Sequence, residues 1–259
     1  MGNTGRFVWY ELMTSDPAGA KAFYQAVVGW TVQDWEKKQD GMPEYAMWVA
    51  GERPVGGVML LAEEAKAMGA PTHWLAHVAV EDVDATLARA KELGGGVVFG
   101  PEDIPEVGRF AILRDPQGAV ISAFKPADPA SDAPSGKGTI GWNELNTTDA
   151  VAAQKFYVAL LGFEPTESMD MGPEFGSYLM WKSGGVSKGG ISSMAKAQGF
   201  PPSWLYYITV DDLDAALQIT KARGGQVLNG PMDVPGGDRV AQCLDPQGGA
   251  FALHENAKS

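Results

Sequence analysis

The sequence predicts an α+β protein of four strand–helix–strand–strand–strand modules, two in each of two tandem copies. The first observation behind this is internal repetition. Trp9-Tyr10-Glu11-Leu12-Met13-Thr14-Ser15-Asp16 recurs as Trp142-Asn143-Glu144-Leu145-Asn146-Thr147-Thr148-Asp149, an offset of 133. The same offset carries Phe23-Tyr24 onto Phe156-Tyr157, Gly29 onto Gly162, Trp48 onto Trp181 and Gly56-Gly57 onto Gly189-Gly190. Between Val58 and Trp74 the second copy loses three residues, as loops tolerate. The offset of 130 then carries Trp74-Leu75 onto Trp204-Leu205, Asp82 onto Asp212, Gly100-Pro101 onto Gly230-Pro231, and Asp115-Pro116-Gln117-Gly118 onto Asp245-Pro246-Gln247-Gly248. The second observation is that the hydrophobic period switches from strand to helix twice in each copy.

In the first copy, Phe7 to Met13 is an apolar-rich strand. Asp16-Pro17 opens a helix, with Asp as N-cap and Pro at the first helical position. Ala20, Phe23, Tyr24, Val27 and Val28 form its buried stripe, and Gly29 ends it. Strands follow at Tyr45–Ala50 and Val55–Leu61. The pattern restarts with a strand at Trp74–Val80 and a helix capped by Asp82, stopped at Gly94-Gly95-Gly96. Strands at Val97–Phe99, Phe110–Arg114 and Val120–Phe124 complete the copy, the last two joined by the Asp115-Pro116-Gln117-Gly118 turn. Lys125 to Thr139 is rich in Pro, Gly and Ser and reads as a linker. The expected domains are residues 1–126 and 139–259, joined by 127–138, with the boundary near residue 132.

The chain of 259 residues carries 20 Lys+Arg against 32 Asp+Glu, a net charge of −12. Such a chain repels phosphate backbones, so no nucleic-acid partner is expected, and a small molecule fits better. No apolar stretch approaches the ~20 residues of a membrane span, and the start, Met1 to Arg6, lacks a secretory pattern. The expectation is a cytoplasmic protein with no membrane partner. One cysteine, Cys243, excludes internal disulfides and reads as a buried strand residue. His73 reads as a loop residue.

The openings W-x-E-L-x-T-x-D before a helix, and the closing Gly108-Arg109-Phe110 ahead of Asp115-Pro116-Gln117-Gly118, resemble the vicinal oxygen chelate superfamily. That group includes glyoxalase I, bleomycin-resistance proteins and extradiol dioxygenases; the likeness covers nearly the whole chain, with the tandem glyoxalase-like bacterial branch matching best. It implies two domains whose mixed sheets curl around cavities. In metal-using members, His, Glu or Gln on a first strand and Glu on a last strand bind a divalent ion. Carried onto this sequence, those positions are Trp9, Trp142, Leu75, Leu205, Ser122, Ala252 and residues near Gly57 and Gly190. None is a strong ligand, so no metal and no cofactor are expected. A slip of two residues would instead bring in Glu11, His77, Glu144 and His254.

Residues two apart on a strand share a face. Trp9 therefore brings Glu11 and Met13, Leu75 brings His77, and Ser122 brings Phe124. In the second copy Trp142 brings Glu144 and Asn146, Leu205 brings Tyr207, and Ala252 brings His254. Glu11, His77 and Glu144 are the candidate acid–base groups. Trp9, Met13, Leu75, Ser122, Phe124, Trp142, Asn146, Leu205, Tyr207 and His254 are the candidate ligand contacts, and His254 could pair with Glu144. Most tryptophans recur in both copies and read as structural; Trp9 and Trp142 are expected to line a pocket. The expected function is binding of a small aromatic or hydrophobic metabolite in tryptophan-lined cavities, by a monomer or weak homodimer. The alternatives are a metal-independent lyase, isomerase or hydroxylase, or a metal-dependent glyoxalase or dioxygenase.

Overall fold

The structure, a computed structural model, describes residues 4–35, 44–128 and 135–257. The expected boundary near residue 132 and most of the loop between Trp35 and Glu44 lie outside these. The first copy runs β1 (Phe7–Thr14), α1 (Pro17–Val28), β2 (Thr31–Asp34), β3 (Tyr45–Ala50), β4 (Arg53–Leu60), α2 (Glu63–Ala67), β5 (His73–Ala79), α3 (Val83–Glu92), β6 (Gly96–Ile104), β7 (Gly108–Arg114) and β8 (Val120–Pro126). The second runs β9 (Ile140–Asn146), α4 (Ala150–Leu161), β10 (Glu164–Asp170), β11 (Ser177–Ser183), β12 (Ser187–Ser192), α5 (Met194–Gln198), β13 (Ser203–Thr209), α6 (Leu213–Ala222), β14 (Gln226–Asp233), β15 (Arg239–Leu244) and β16 (Ala250–Glu255). This is the predicted order, with two short helices, α2 and α5, added between modules. His73 begins β5 rather than lying in a loop, and its Nδ1 is 2.7 Å from the Pro71 carbonyl oxygen.

Each copy makes one eight-stranded mixed sheet, ordered β2-β3-β4-β1-β5-β8-β7-β6 and β10-β11-β12-β9-β13-β16-β15-β14. The four longer helices start as the sequence requires. Asp16, Asp82, Asp149 and Asp212 each accept from the backbone N–H three residues on, at 2.9–3.0 Å. Gly29 and Gly162 close α1 and α4 in the left-handed region, at φ 84° and 68°. No helix among the described residues is long and apolar enough to cross a membrane.

The chain gathers into two compact units, and each draws on both copies. Unit one comprises Met1–Val8, Leu75–Ala133 and Trp142–Leu205; unit two comprises Trp9–Trp74, Pro134–Gly141 and Tyr206–Ser259. In unit two, Tyr24 of α1 is fully buried among Trp30, Trp48, Trp74 and Phe251, with ring centroids 5.3–5.8 Å away. Its hydroxyl accepts from Trp74 Nε1 at 3.0 Å and donates to Asp245 Oδ2 at 3.0 Å. Asp245 Oδ1 in turn accepts from the backbone N–H groups of Gln247 and Gly249. Unit one repeats the arrangement. Trp204 Nε1 donates to the Tyr157 hydroxyl at 3.3 Å, which donates to Asp115 Oδ2 at 3.1 Å. Asp115 Oδ1 accepts from Gln117, Gly118 and Ala119 N–H.

A helix tyrosine of one copy thus holds the D-P-Q-G turn of the other. Unit one adds a second tie. Gln117 Oε1 accepts from Thr147 Oγ1 and from the N–H groups of Thr148 and Asp149, while Gln117 Nε2 donates to the Asp149 carbonyl. The T-x-D and D-P-Q-G motifs therefore meet physically.

Burial raises both Asp115 and Asp245 above the ordinary aspartate range, against their hydrogen bonds, which pull the other way. A carboxyl whose folded pKa is raised contributes most in acid, and that contribution fades as pH rises through the raised value. Asp115→Asn with Asp245→Asn should therefore gain stability relative to the wild type between about pH 4.5 and pH 7 in urea unfolding; an unchanged difference across that range would contradict it. Tyr24→Phe leaves a buried carboxylate oxygen and an indole N–H short of a partner, and should cost about 1–3 kcal/mol in the same assay. Cys243 is 1% exposed in β15, and burial pushes its thiol up to about 12. It should resist a thiol reagent in the native protein and react fully on unfolding.

Candidate functional site

In unit two, β1 and β4 run parallel with Glu11 opposite Gly57 and Met13 opposite Met59. Trp9, Glu11 and Met13 share one face of β1, as strand alternation requires. β3 pairs antiparallel with β4 and delivers Tyr45 to this face. Trp9 Nε1 donates to the Tyr45 hydroxyl at 2.7 Å, and that hydroxyl donates to Glu11 Oε1 at 2.9 Å. Burial, followed by the Glu11 charge, drives the Tyr45 hydroxyl well above the ordinary tyrosine range, so it stays a donor.

Unit one repeats this chain of bonds. Trp142 Nε1 donates to the Tyr178 hydroxyl at 2.8 Å, which donates to Glu144 Oε2 at 3.0 Å. There the chain continues: Asn146 Nδ2 donates to Glu144 Oε1 at 3.0 Å, and Ser192 Oγ donates to Asn146 Oδ1 at 2.9 Å.

Sequence reasoning missed Tyr45 and Tyr178, although they are related by the same offset of 133. The repeated glycine pair was the other signal. A methyl group on Gly57 would overlap the Tyr45 ring and hydroxyl, and one on Gly190 would overlap Tyr178. One on Gly56 or Gly189 would overlap the carbonyl oxygen of Tyr10 or Asn143. Each pair thus gives a tyrosine room to lie over one strand and lets the neighbouring backbone approach.

The remaining candidates fall as follows. In unit one, His77 of β5 lies opposite Ser122 of β8 and is buried, with its ring 6.0 Å from Phe110 and 5.8 Å from Phe124. Leu75 is buried beside it in β5, and Leu205 is buried in β13. In unit two, Tyr207 lies opposite Ala252, and its hydroxyl accepts from Gln242 Nε2 at 3.0 Å. His254 Nε2 sits 2.8 Å from Asp238 Oδ2. The expected His254–Glu144 pairing is therefore corrected: Asp238, just ahead of β15, takes the imidazole, and Glu144 belongs to unit one. Glu11 and His77 likewise belong to different units. Clefts of about 490 Å³ beside Asp149 and Lys196, and about 360 Å³ beside Gly95 and Gln117, contain none of the candidates. Among the described residues, no three His, Cys, Asp or Glu side chains gather as metal ligands.

The sheets and the repeated strand motifs define a known class. The family model described as the Glyoxalase/Bleomycin resistance protein/Dioxygenase superfamily matches residues 6–122 and again 139–253. The chain belongs to this superfamily, as two tandem domains of its type. It is 32% identical over 246 residues to CFP32 of Mycobacterium tuberculosis, provisionally named a glyoxylase, covering 95% of this chain and 92% of that one. It is 29% identical over 262 residues to the anthracycline biosynthesis protein DnrV of Streptomyces peucetius, covering 97% and 93%. Among solved structures, an extradiol ring-cleaving dioxygenase from B. fuscum superposes with a TM-score of 0.66 at 18% identity, covering 99% of this chain and 73% of that one. The Mn(II)-bound glyoxalase from Novosphingobium aromaticivorans gives 0.62 at 16%, covering 99% and 83%. At these identities the structures share the fold.

The glycine argument is testable. Gly190→Ala should cost about 1–3 kcal/mol by displacing Tyr178, and the added cost should shrink when Tyr178→Ala has already removed the ring. Additive losses in a double-mutant unfolding cycle would show that the ring does not need the space.

Proposed function

We propose that this chain binds a small planar aromatic metabolite against the exposed face of an indole whose edge is pinned by a tyrosine–glutamate pair, with no metal of the family type. One observation carries the reading. Trp30, Trp48, Trp74, Trp181 and Trp204 are buried, whereas the repeat pair Trp9 and Trp142, like the unrepeated Trp35, is only partly covered. Both keep their Nε1 bonded to a tyrosine. A pinned indole presents a flat apolar face at little entropic cost, and the glutamate beside it suits a hydroxylated or cationic ring. The likeness to a protein of anthracycline biosynthesis supports an aromatic ligand.

The family's metal positions do not fit an ion. Gly57 and Gly190 lie beneath tyrosines, Ser122 Oγ is within 3.4 Å of the Ala123 carbonyl, and Ala252 has no donor. The domains of this reading are residues 1–126 and 139–259, and both family matches fall inside them. They act as a monomer or weak homodimer.

A second reading, metal-independent proton transfer by Glu11 or Glu144, is favoured by the tyrosine hydroxyl that holds each carboxylate. Unaltered turnover in Glu11→Gln and Glu144→Gln would remove it.

Binding is checked by titrating tryptophan emission with proflavine and with anthraquinone-2-sulfonate, using N-acetyltryptophanamide to correct for absorption. Saturable quenching by either probe is expected, weakened about 3–10-fold when the contacted indole is replaced by leucine. Linear, non-saturating quenching by both probes would overturn the proposal.

A further inference from the structure

Resting on that reading, we infer that the first copy alone takes the aromatic ligand, and that the matching strand surface of the second copy is closed by its own polar side chains. The argument compares equivalent residues, each within its own unit. In unit two the strand face that carries Trp9 is continued by Met13 and, on β4, by Met59, both partly exposed. Met59 lies opposite Met13, and Gly57 and Met59 share one face of β4, while Val55 stands at the bulge where β4 shifts register against β3. Two thioethers on the face of a pinned indole form an adaptable apolar surface for a flat ring.

In unit one the equivalents of Met13 and Met59 are Asn146 and Ser192. They lie opposite each other and hydrogen-bond to each other and to Glu144. Glu144, Asn146 and Ser192 are 8%, 6% and 3% exposed, so this polar chain is shut off from solvent. The equivalent of Val55 is Lys188, whose Nζ stands 6.0 Å from the centroid of the Trp142 ring. A ligand ring seated there must displace a cation and then desolvate hydrogen bonds that are already made.

The second modules are sorted differently, since the aromatic one lies in the unit of Trp142 and the polar one in the unit of Trp9. In unit one, His77, Phe110 and Phe124 form a row of edge-to-face rings, with Phe99 packed on Phe110 at 5.9 Å. Their equivalents in unit two are Tyr207, Val240, His254 and Asn229, and there Tyr207 is bonded by Gln242 and His254 by Asp238. The inference therefore rests on the first modules, where Met13 and Met59 face Asn146 and Ser192 as equivalents.

The test is the stoichiometry and location of binding in the intact chain. Isothermal titration with whichever of proflavine or anthraquinone-2-sulfonate gives saturable quenching should return one site per chain. Trp9→Phe should remove most of the quenching. Met13→Asn with Met59→Ser, which writes the second-copy pattern into the first, should weaken binding at least tenfold. The single variants Met13→Asn and Met59→Ser, each at a partly exposed strand position, should each weaken binding as well and cover the case in which the double variant fails to fold. Two equal sites, quenching lost in Trp142→Phe instead of Trp9→Phe, or unweakened binding in both sets of variants would overturn the inference while leaving the binding reading intact. Failure of both probes to bind the wild type would overturn both.

Discussion

The tie on which the architecture depends is the hydrogen-bonded line from a buried indole, through a helix tyrosine, to the aspartate of a tight turn. It occurs once in each unit, as Trp74–Tyr24–Asp245 and as Trp204–Tyr157–Asp115. The tyrosine and the turn come from different copies, so neither copy completes this core by itself. A buried carboxylate is costly unless its oxygens are satisfied. Here one oxygen is fed by backbone N–H groups and the other by a tyrosine hydroxyl. The raised pKa of both aspartates shows that burial still outweighs those bonds. The aromatic rings packed about each tyrosine supply the apolar burial that offsets that cost.

The same logic, transferred from core to strand face, produces the candidate site. Trp9–Tyr45–Glu11 and Trp142–Tyr178–Glu144 are again indole, phenol and carboxylate in line. What differs is exposure, since these indoles are partly open. Each line needs a glycine beneath its tyrosine, since a methyl group on Gly57 or Gly190 would overlap the Tyr45 or Tyr178 ring. The first modules of the two copies then diverge, towards thioethers at Met13 and Met59 and towards hydrogen-bonded polar groups at Asn146 and Ser192.

Much of this was determined by the sequence alone. Repetition at a fixed offset, the four Asp N-caps, the closing glycines and the D-P-Q-G turns are local signals, because each satisfies backbone groups within a few residues. They fix the module order and the strand faces, and so place Trp9, Glu11 and Met13 together. Only the tertiary structure decided the partners. Tyr45 reaches Glu11 across 34 residues, Tyr24 reaches Asp245 across 221, and Asp238 rather than Glu144 takes His254. No periodicity encodes such pairings, because they depend on which strands pair and which helix packs on which turn. Those choices are made by long-range burial of apolar surface and not by local preference.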